Sequence, residues 1–336
     1  MMEERIEQEF DTGPQAEVSV ENVNGPVTVE GWDEARVHLE ARRRGERARV
    51  VFQHEGARVE VRTEIEPRDR GLMGWWGREE PAEVEYTLRV PRDTRLTLRN
   101  VHGPLRAASF RGALEAKSVD GPVQVFQVLG ETRAEATNGS VELTQVQGQA
   151  QAFTTNGSVT LRDCQVNSVV AETVNGSIRI EPLSAGCAVR ARTVNGELTL
   201  NVPDGVAAEL EANGVMLRTT MGIAHQSYTS GRTAWRGRVG SGKPSAQVSF
   251  STVNGHVRVN GSPEAAPALG SGETVAATLA TAGGSEDRSA PASEPAAAPA
   301  AAAAADQPRD VMSILQAIER GDVSVEQGLD MMKKLS

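Results

Sequence analysis

A chain of 336 residues with 39% apolar content holds enough material to bury a core, yet aromatic residues make up only 4%. Aliphatic side chains must therefore carry its stability. The formal charge of −10, with no lysine or arginine stripe to offset it, excludes nucleic acid as a partner, because phosphates demand a basic footprint.

The N-terminus, Met1-Met2-Glu3-Glu4-Arg5, is acidic and has no basic or apolar leader segment. The expectation is a chain without a secretory signal, hence cytoplasmic, with envelope association left open. No run reaches the ~18 consecutive apolar residues of a membrane-spanning helix, so membrane contact would be peripheral.

Residues 1–99 form an irregular β section, with strand-like runs at 16–21, 26–30, 35–41, 48–53, 57–65 and 83–90. Repeat bodies need atypical terminal units to close their cores, and this section is placed as that cap. Its one basic cluster, Arg42, Arg43 and Arg44 with Arg47 and Arg49, reads as a solvated turn, with an anionic partner site as the alternative. A glycine-rich loop from Gly71 to Gly77 carries Trp75 and Trp76. It either folds back over the core or forms an anchor for a partner or a membrane surface.

The informative feature comes next. The pattern x-Asn-Gly recurs at Asn24, Asn138, Asn156, Asn175, Asn195, Asn213 and Asn254, with variants at His102 and Asp120. From His102 to Asn213 the spacings are 18, 18, 18, 19, 20 and 18 residues, which marks a repeat architecture. Three and five places after the turn residue stand apolar pairs such as Val123 and Val125, Val159 and Leu161, and Leu198 and Leu200. Those columns face a core. Four places before it stand Val20, Leu98, Ala116, Ala134, Ala152, Ala171, Ala191 and Phe250, which predicts a core narrow in the middle and filled at its ends. The column four places after it, from Thr28 and Arg106 to Arg179 and Arg258, faces water.

Each unit is thus a strand, an Asn-Gly turn with glycine at positive φ, and a second strand. A meander of hairpins and a β-solenoid both satisfy the pattern. Identical residues at identical phase favour the solenoid, with coils stacked ~4.8 Å apart and asparagine amides laddering along the stack. The predicted fold is all-β: a β-helix-like body of 18–20-residue units over 100–262, with Asn24, Asp120, Asn138, Asn156, Asn175, Asn195, Asn213 and Asn254 as structural turns. Cys164 and Cys187 fall in different units and at different phases, so they are expected to be unpaired free thiols.

Between Asn213 and Asn254 the spacing widens to 41 residues and includes Gly237-Arg238-Val239-Gly240-Ser241-Gly242. No Lys-Ser/Thr pair follows, so this is a loop and not a phosphate cradle. Residues 263–308 are rich in alanine, proline, glycine and serine and are expected to be a disordered linker. A helical hairpin over 309–336 follows, with Val311, Ile314, Leu315 and Ile318 on one stripe and Val325, Leu329, Met332 and Leu335 on the other. Ser324 and Gln327 form a capping box between them. Two such short helices hold no stable core alone, so Ile314, Leu315, Ile318 and Leu329 are candidate docking residues.

Several of these stretches carry a resemblance. The run from Asn22 through Asn24-Gly25 to Asp33, Tyr86 to Pro91, the Thr-Val-Asn-Gly series, and Trp235 before Gly240-Ser241-Gly242 resemble the bacterial adhesin-like β-strand-repeat family of unknown function, over roughly residues 10–262. The stretch Ile314 to Asp322 is similar to a short C-terminal hairpin that accompanies some such proteins and is thought to mediate oligomerisation. The resemblance implies a β-helix-like body linked to the cell envelope or to envelope-stress signalling, and it supplies no catalytic residues.

An enzyme of the β-helix carbohydrate-active type would need carboxylates gathered on neighbouring coils. The outward columns are instead mixed, and pairs such as Lys117 and Glu135 look like cross-strand partners. His38, His54, His102, His225 and His256 are scattered without metal-ligand spacing. The expectation is a non-enzymatic scaffold without metal or cofactor. It would bind a protein or envelope component and form homo-oligomers through its hairpin. A module held in check by its own hairpin is the alternative, and the carbohydrate-active enzyme stands below it.

Overall fold

The structure, a computed structural model, describes residues 3–45, 47–66, 82–219, 225–229, 232–239 and 245–260. Trp75, Trp76, the linker and the hairpin with Ile314, Leu315, Ile318 and Leu329 lie outside the described residues. Those described form 21 strands and no helix.

One coil shows the rule. Strand β13 (Gln147–Asn156) runs along one face, the chain turns at Asn156-Gly157, and β14 (Val159–Arg162) runs along the other before a second turn at Asp163-Cys164. β13 pairs in parallel with β11 (Val123–Asn138) before it and with β15 (Gln165–Asn175) after it. β14 pairs likewise with β12 (Val141–Thr144) and β16 (Ile178–Glu181). In-register parallel pairing at the repeat spacing defines a β-solenoid and rules out the meander, whose neighbours would be antiparallel.

On the first face the stack continues towards the N-terminus through β10 (Leu114–Asp120), β8 (Arg95–His102), β2 (Glu17–Asn24) and β6 (Arg58–Ile65). On the second face it continues through β9 (Leu105–Arg111), β3 (Val27–Trp32) and β7 (Glu83–Pro91). Antiparallel strands finish this end. β5 (Ala48–Glu55) lies on β6, and β4 (Arg36–Arg44) lies on β7 with β1 (Glu3–Asp11) outside it. Phe10 of β1 meets Phe52 of β5 edge-to-face at 6.1 Å, joining the two ends of the faces. The leading section is therefore both part of the stack, through coil 17–32, and its antiparallel terminus. Residues 1–265 form one unit.

At the other end, chain order and stacking order part. β17 (Ala188–Asn201) pairs with β21 (Ala246–Asn260), and β18 (Ala208–Thr219) joins only on the far side of β21. β20 (Arg232–Val239) and β19 (His225–Thr229) then add antiparallel. Asn254 consequently stacks on Asn195, while Asn213 sits inside β18 opposite Ser251, with Met216 opposite Asn254. The expected corner at Asn213 is thus corrected by three residues. A coil built on Asn213 would place Arg218 in the column that elsewhere holds Val125, Leu161 and Leu200, and a charge there has no compensating partner.

The core lies between the faces. Val61, Val20, Leu98, Ala116, Ala134, Ala152, Ala171, Ala191, Phe250 and Ala212 are successive register partners, all buried. Alanine in the central coils, with Val61, Val20 and Leu98 on one side and Phe250 on the other, gives the taper read from the sequence, and beyond Phe250 the column ends on the small Ala212 of β18. Branched aliphatics such as Val125, Leu143, Leu161, Ile180 and Leu200 fill the second face of the same interior.

Candidate binding surface

The Asn-Gly corners are built for stacking. Asn138 donates its side-chain amide to Asp120 Oδ1 at 2.8 Å, Asn156 to Asn138 at 2.9 Å, Asn175 to Asn156 at 3.1 Å, Asn195 to Asn175 at 3.2 Å and Asn254 to Asn195 at 3.1 Å. Every amide in this ladder points the same way, so each bond polarises the next. Asp120 ends the ladder as an acceptor only, and its second oxygen meets His102 Nδ1 at 2.9 Å. Asn24 stands outside it and donates to Ala82 O at 3.1 Å.

The glycine requirement has a different cause from the one expected. Positive φ occurs at Gly25 (116°), Gly103 (126°) and Gly121 (156°), but not at Gly139, Gly157, Gly176 or Gly196. A Cβ on Gly157 would lie 2.2 Å from the Gly139 carbonyl oxygen, and one on Gly176 only 1.8 Å from that of Gly157. The side chain is excluded because one coil's backbone passes directly over the next.

Two places before the turn residue runs a buried polar column that the sequence reading did not single out. Thr154 donates to Gly139 O at 2.8 Å and Thr173 to Gly157 O at 3.0 Å, while Asn100 donates to both Gly25 O and Gly103 O. These side chains donate to corner carbonyls, and Gly25 O takes a second donor from Asn22 at 3.1 Å. The recurrence of threonine in that column was the available signal.

The outer faces are polar and cross-linked along the stack. On the second face Arg106 donates to Gln124 at 2.9 Å, Gln124 to Glu142 at 3.3 Å, and Arg162 pairs with Glu142 at 3.0 Å. On the first, Lys117 contacts Glu135 at 3.5 Å and Glu115 at 2.7 Å, and the latter bond holds the Glu115 carboxyl below its usual range. Arg133 stacks over Phe153 at 5.0 Å. The Arg42–Arg44 run is not the expected turn but the end of strand β4, paired with β1 and β7, where Arg43 pairs with Glu4 and Arg42 with Glu40.

Cys164 and Cys187 are free and buried. Burial first, and the charge of Cys164 second, push the Cys187 thiol up to about 11. No group of three metal-binding side chains occurs among the described residues.

Among the described residues a concavity interrupts the first face. Near the C-terminal end, β15, β17, β21, β18 and β20 together line a depression of about 720 Å³. Its outward side chains include Arg190, Gln247, Ser249, Glu209, Glu211 and Arg236. Nothing in the repeat pattern announces it, because β21 and β20 reach this place only through the exchanged stacking order.

A parallel solenoid with laddered corners and cross-linked polar faces defines an all-β repeat protein. The chain belongs to the Toastrack DUF4097 family, whose profile matches residues 16–260. No curated protein matches it. Among solved structures it is similar to a candidate adhesin of Bacteroides fragilis, at 10% identity over 76% of this chain and 97% of that one, with a TM-score of 0.42. It is also similar to a candidate lipid-binding protein of Parabacteroides distasonis, at 12% identity over 76% and 97%, with a TM-score of 0.36. A candidate cell-adhesion protein of Clostridium sporogenes aligns at 11% identity over 76% and 99%, with a TM-score of 0.22. No described helix is long and apolar enough to cross a membrane.

Proposed function

We propose that this Toastrack chain is a non-enzymatic scaffold that presents its outer faces to a protein or cell-envelope partner and self-associates through the hairpin at 309–336. The observation that carries the reading is the lengthwise bonding of the outer side chains, such as Arg106–Gln124–Glu142–Arg162. Side chains already held in place lose little further entropy when a partner docks, which is how a preorganised surface gains affinity. The same residues are spent on one another and do not converge on a shared reacting point, as a glycosidase pair of carboxylates must. Linking several copies through a long tether would raise the avidity of individually weak contacts.

Light scattering of the full chain and of residues 1–308 tests the self-association. The full chain is expected to show the larger assembly at equal protomer concentration. Equal molar masses would sink that half of the proposal. Co-precipitation from envelope fractions by the body alone tests the other half, with a Lys117→Glu, Arg106→Glu variant expected to recover less.

A further inference from the structure

The sheet has ends, and they are not finished alike. Among the described residues three strands pair with a single neighbour: β1 with β4, β5 with β6 and β19 with β20. A terminal strand turns alternate N–H and C=O groups outward, a template for any extended chain, and proteins blunt such an edge with charge or cover it. β1 is blunted, since six of its nine residues, Glu3, Glu4, Arg5, Glu7, Glu9 and Asp11, are charged. β5 carries Arg49 and Glu55, and Phe10 of β1 packs on its Phe52 at 6.1 Å and its His54 at 5.3 Å. β19 has neither device. Its sequence, His225-Gln226-Ser227-Tyr228-Thr229, holds no acid, no lysine or arginine and no proline, and tyrosine and threonine favour strands.

The composition of that edge selects its partner. Main-chain groups accept any strand, so the choice rests on which residues come to stand opposite one another. In the antiparallel register that overlaps all five residues of two β19 strands, Ser227 lies opposite Ser227, Gln226 opposite Tyr228 and His225 opposite Thr229. No pair of acids and no pair of lysine or arginine residues is formed. The same operation on β1 sets Glu7 against Glu7 and Glu3 against Asp11, and like charges directly opposite are destabilising. A two-fold axis at Ser227 makes the β19 contact self-complementary and closes it at two copies.

We propose that β19 is an interaction edge that pairs antiparallel with β19 of a second copy of this chain, joining two bodies into one continuous sheet. The contact lies in the body and does not use the hairpin at 309–336, so it stands or falls independently of self-association through that hairpin.

Cysteine cross-linking of the full chain tests it. Across the two-fold axis the two copies of residue 227 lie ~4.5–5.5 Å apart at Cα, within the range a disulfide spans, while the two copies of residue 226 lie ~8 Å apart, beyond it. Under mild air oxidation Ser227→Cys is expected to form a covalent dimer at least about tenfold faster than Gln226→Cys. The parent chain, whose Cys164 and Cys187 are buried, is expected to form none. A mixture of Gln226→Cys and Tyr228→Cys chains should cross-link one with the other, because those positions stand opposite, which gives a second reading of the register should Ser227→Cys fail to fold. Circular dichroism of the reduced chains checks the fold. Absence of the dimer from folded Ser227→Cys and from the mixture, or equal rates for Ser227→Cys and for Gln226→Cys alone, overturns the proposal.

Discussion

The two corners of each coil do the same job by opposite means. At the Asn-Gly corner, a side-chain ladder runs along the stack and the glycine has no Cβ because the neighbouring backbone fills that space. At the opposite corner the residues are Ser109, Gln127, Gln145 and Asp163, all non-glycine and all left-handed, with φ of 67°, 54°, 55° and 50°. Each is followed by a buried side chain: Phe110, Val128, Val146 and Cys164. One corner is held by hydrogen bonds and close contact. The other tolerates backbone strain because a hydrophobic plug pins it.

The comparison predicts a graded set of losses. Gly176→Ala attacks the close contact directly and should cost about 3 kcal/mol or more, since backbone and not a flexible side chain must move. Chemical denaturation checks it, and a loss under about 1 kcal/mol would mean that the corners can spread apart.

The thiols beside the plugged corner give a pH test. Cys187 is raised in the folded state to about 11, so the folded protein keeps its proton where the unfolded chain loses it. That stabilisation is complete below the ordinary thiol pKa of ~8.5 and declines by about 1.4 kcal/mol per pH unit until the folded value is reached. Denaturation curves from pH 8 to 11 should show the decline, and Cys187→Ser should flatten it. In the same range, alkylation should track global unfolding.

Removing the plug itself, Val146→Ala, should cost about 2 kcal/mol through two lost methyl groups and the space they leave. If the neighbouring strain were an independent device, that loss would be no larger for Val146 than for an unrelated core valine. Asn156→Ala breaks two exposed ladder bonds and should cost about 1 kcal/mol, whereas Asn156→Asp should cost at least as much because a carboxylate cannot donate onward to Asn138. The smallest effect belongs to Gln145→Gly. Relief of ~1–2 kcal/mol of left-handed strain is offset by ~0.5–1 kcal/mol of glycine entropy, leaving a gain of about 0.5 kcal/mol.

How far the sequence could be read follows from the same contrast. The ladder corner demands asparagine and glycine, so it writes a visible period, and the alanine column of the core could be aligned on it residue by residue. The plugged corner accepts serine, glutamine or aspartate at its strained position, because what it requires is a buried neighbour and not a particular turn residue. It left no motif. Asn213 shows the converse error, since an Asn-Gly pair inside a strand has the same letters as a corner and only the charged Arg218 at the second of the following core positions separated it. The depression was invisible for a further reason: Arg190, Ser249 and Glu209 come from strands whose adjacency the chain order does not imply.

The sequence by itself determined the repeat, the two-faced coil, the tapered core and the outward polar columns, because each of these is local periodicity multiplied by stacking. Tertiary structure alone decided which coil lies on which. The segment 246–260 carries both the Asn-Gly pair and the apolar columns of 188–201 and takes the place against it, displacing 208–219 to the outside. Matching of buried columns outweighs chain proximity, since a longer connecting loop adds only ~0.6 kcal/mol per doubling while one misplaced core residue costs several times that.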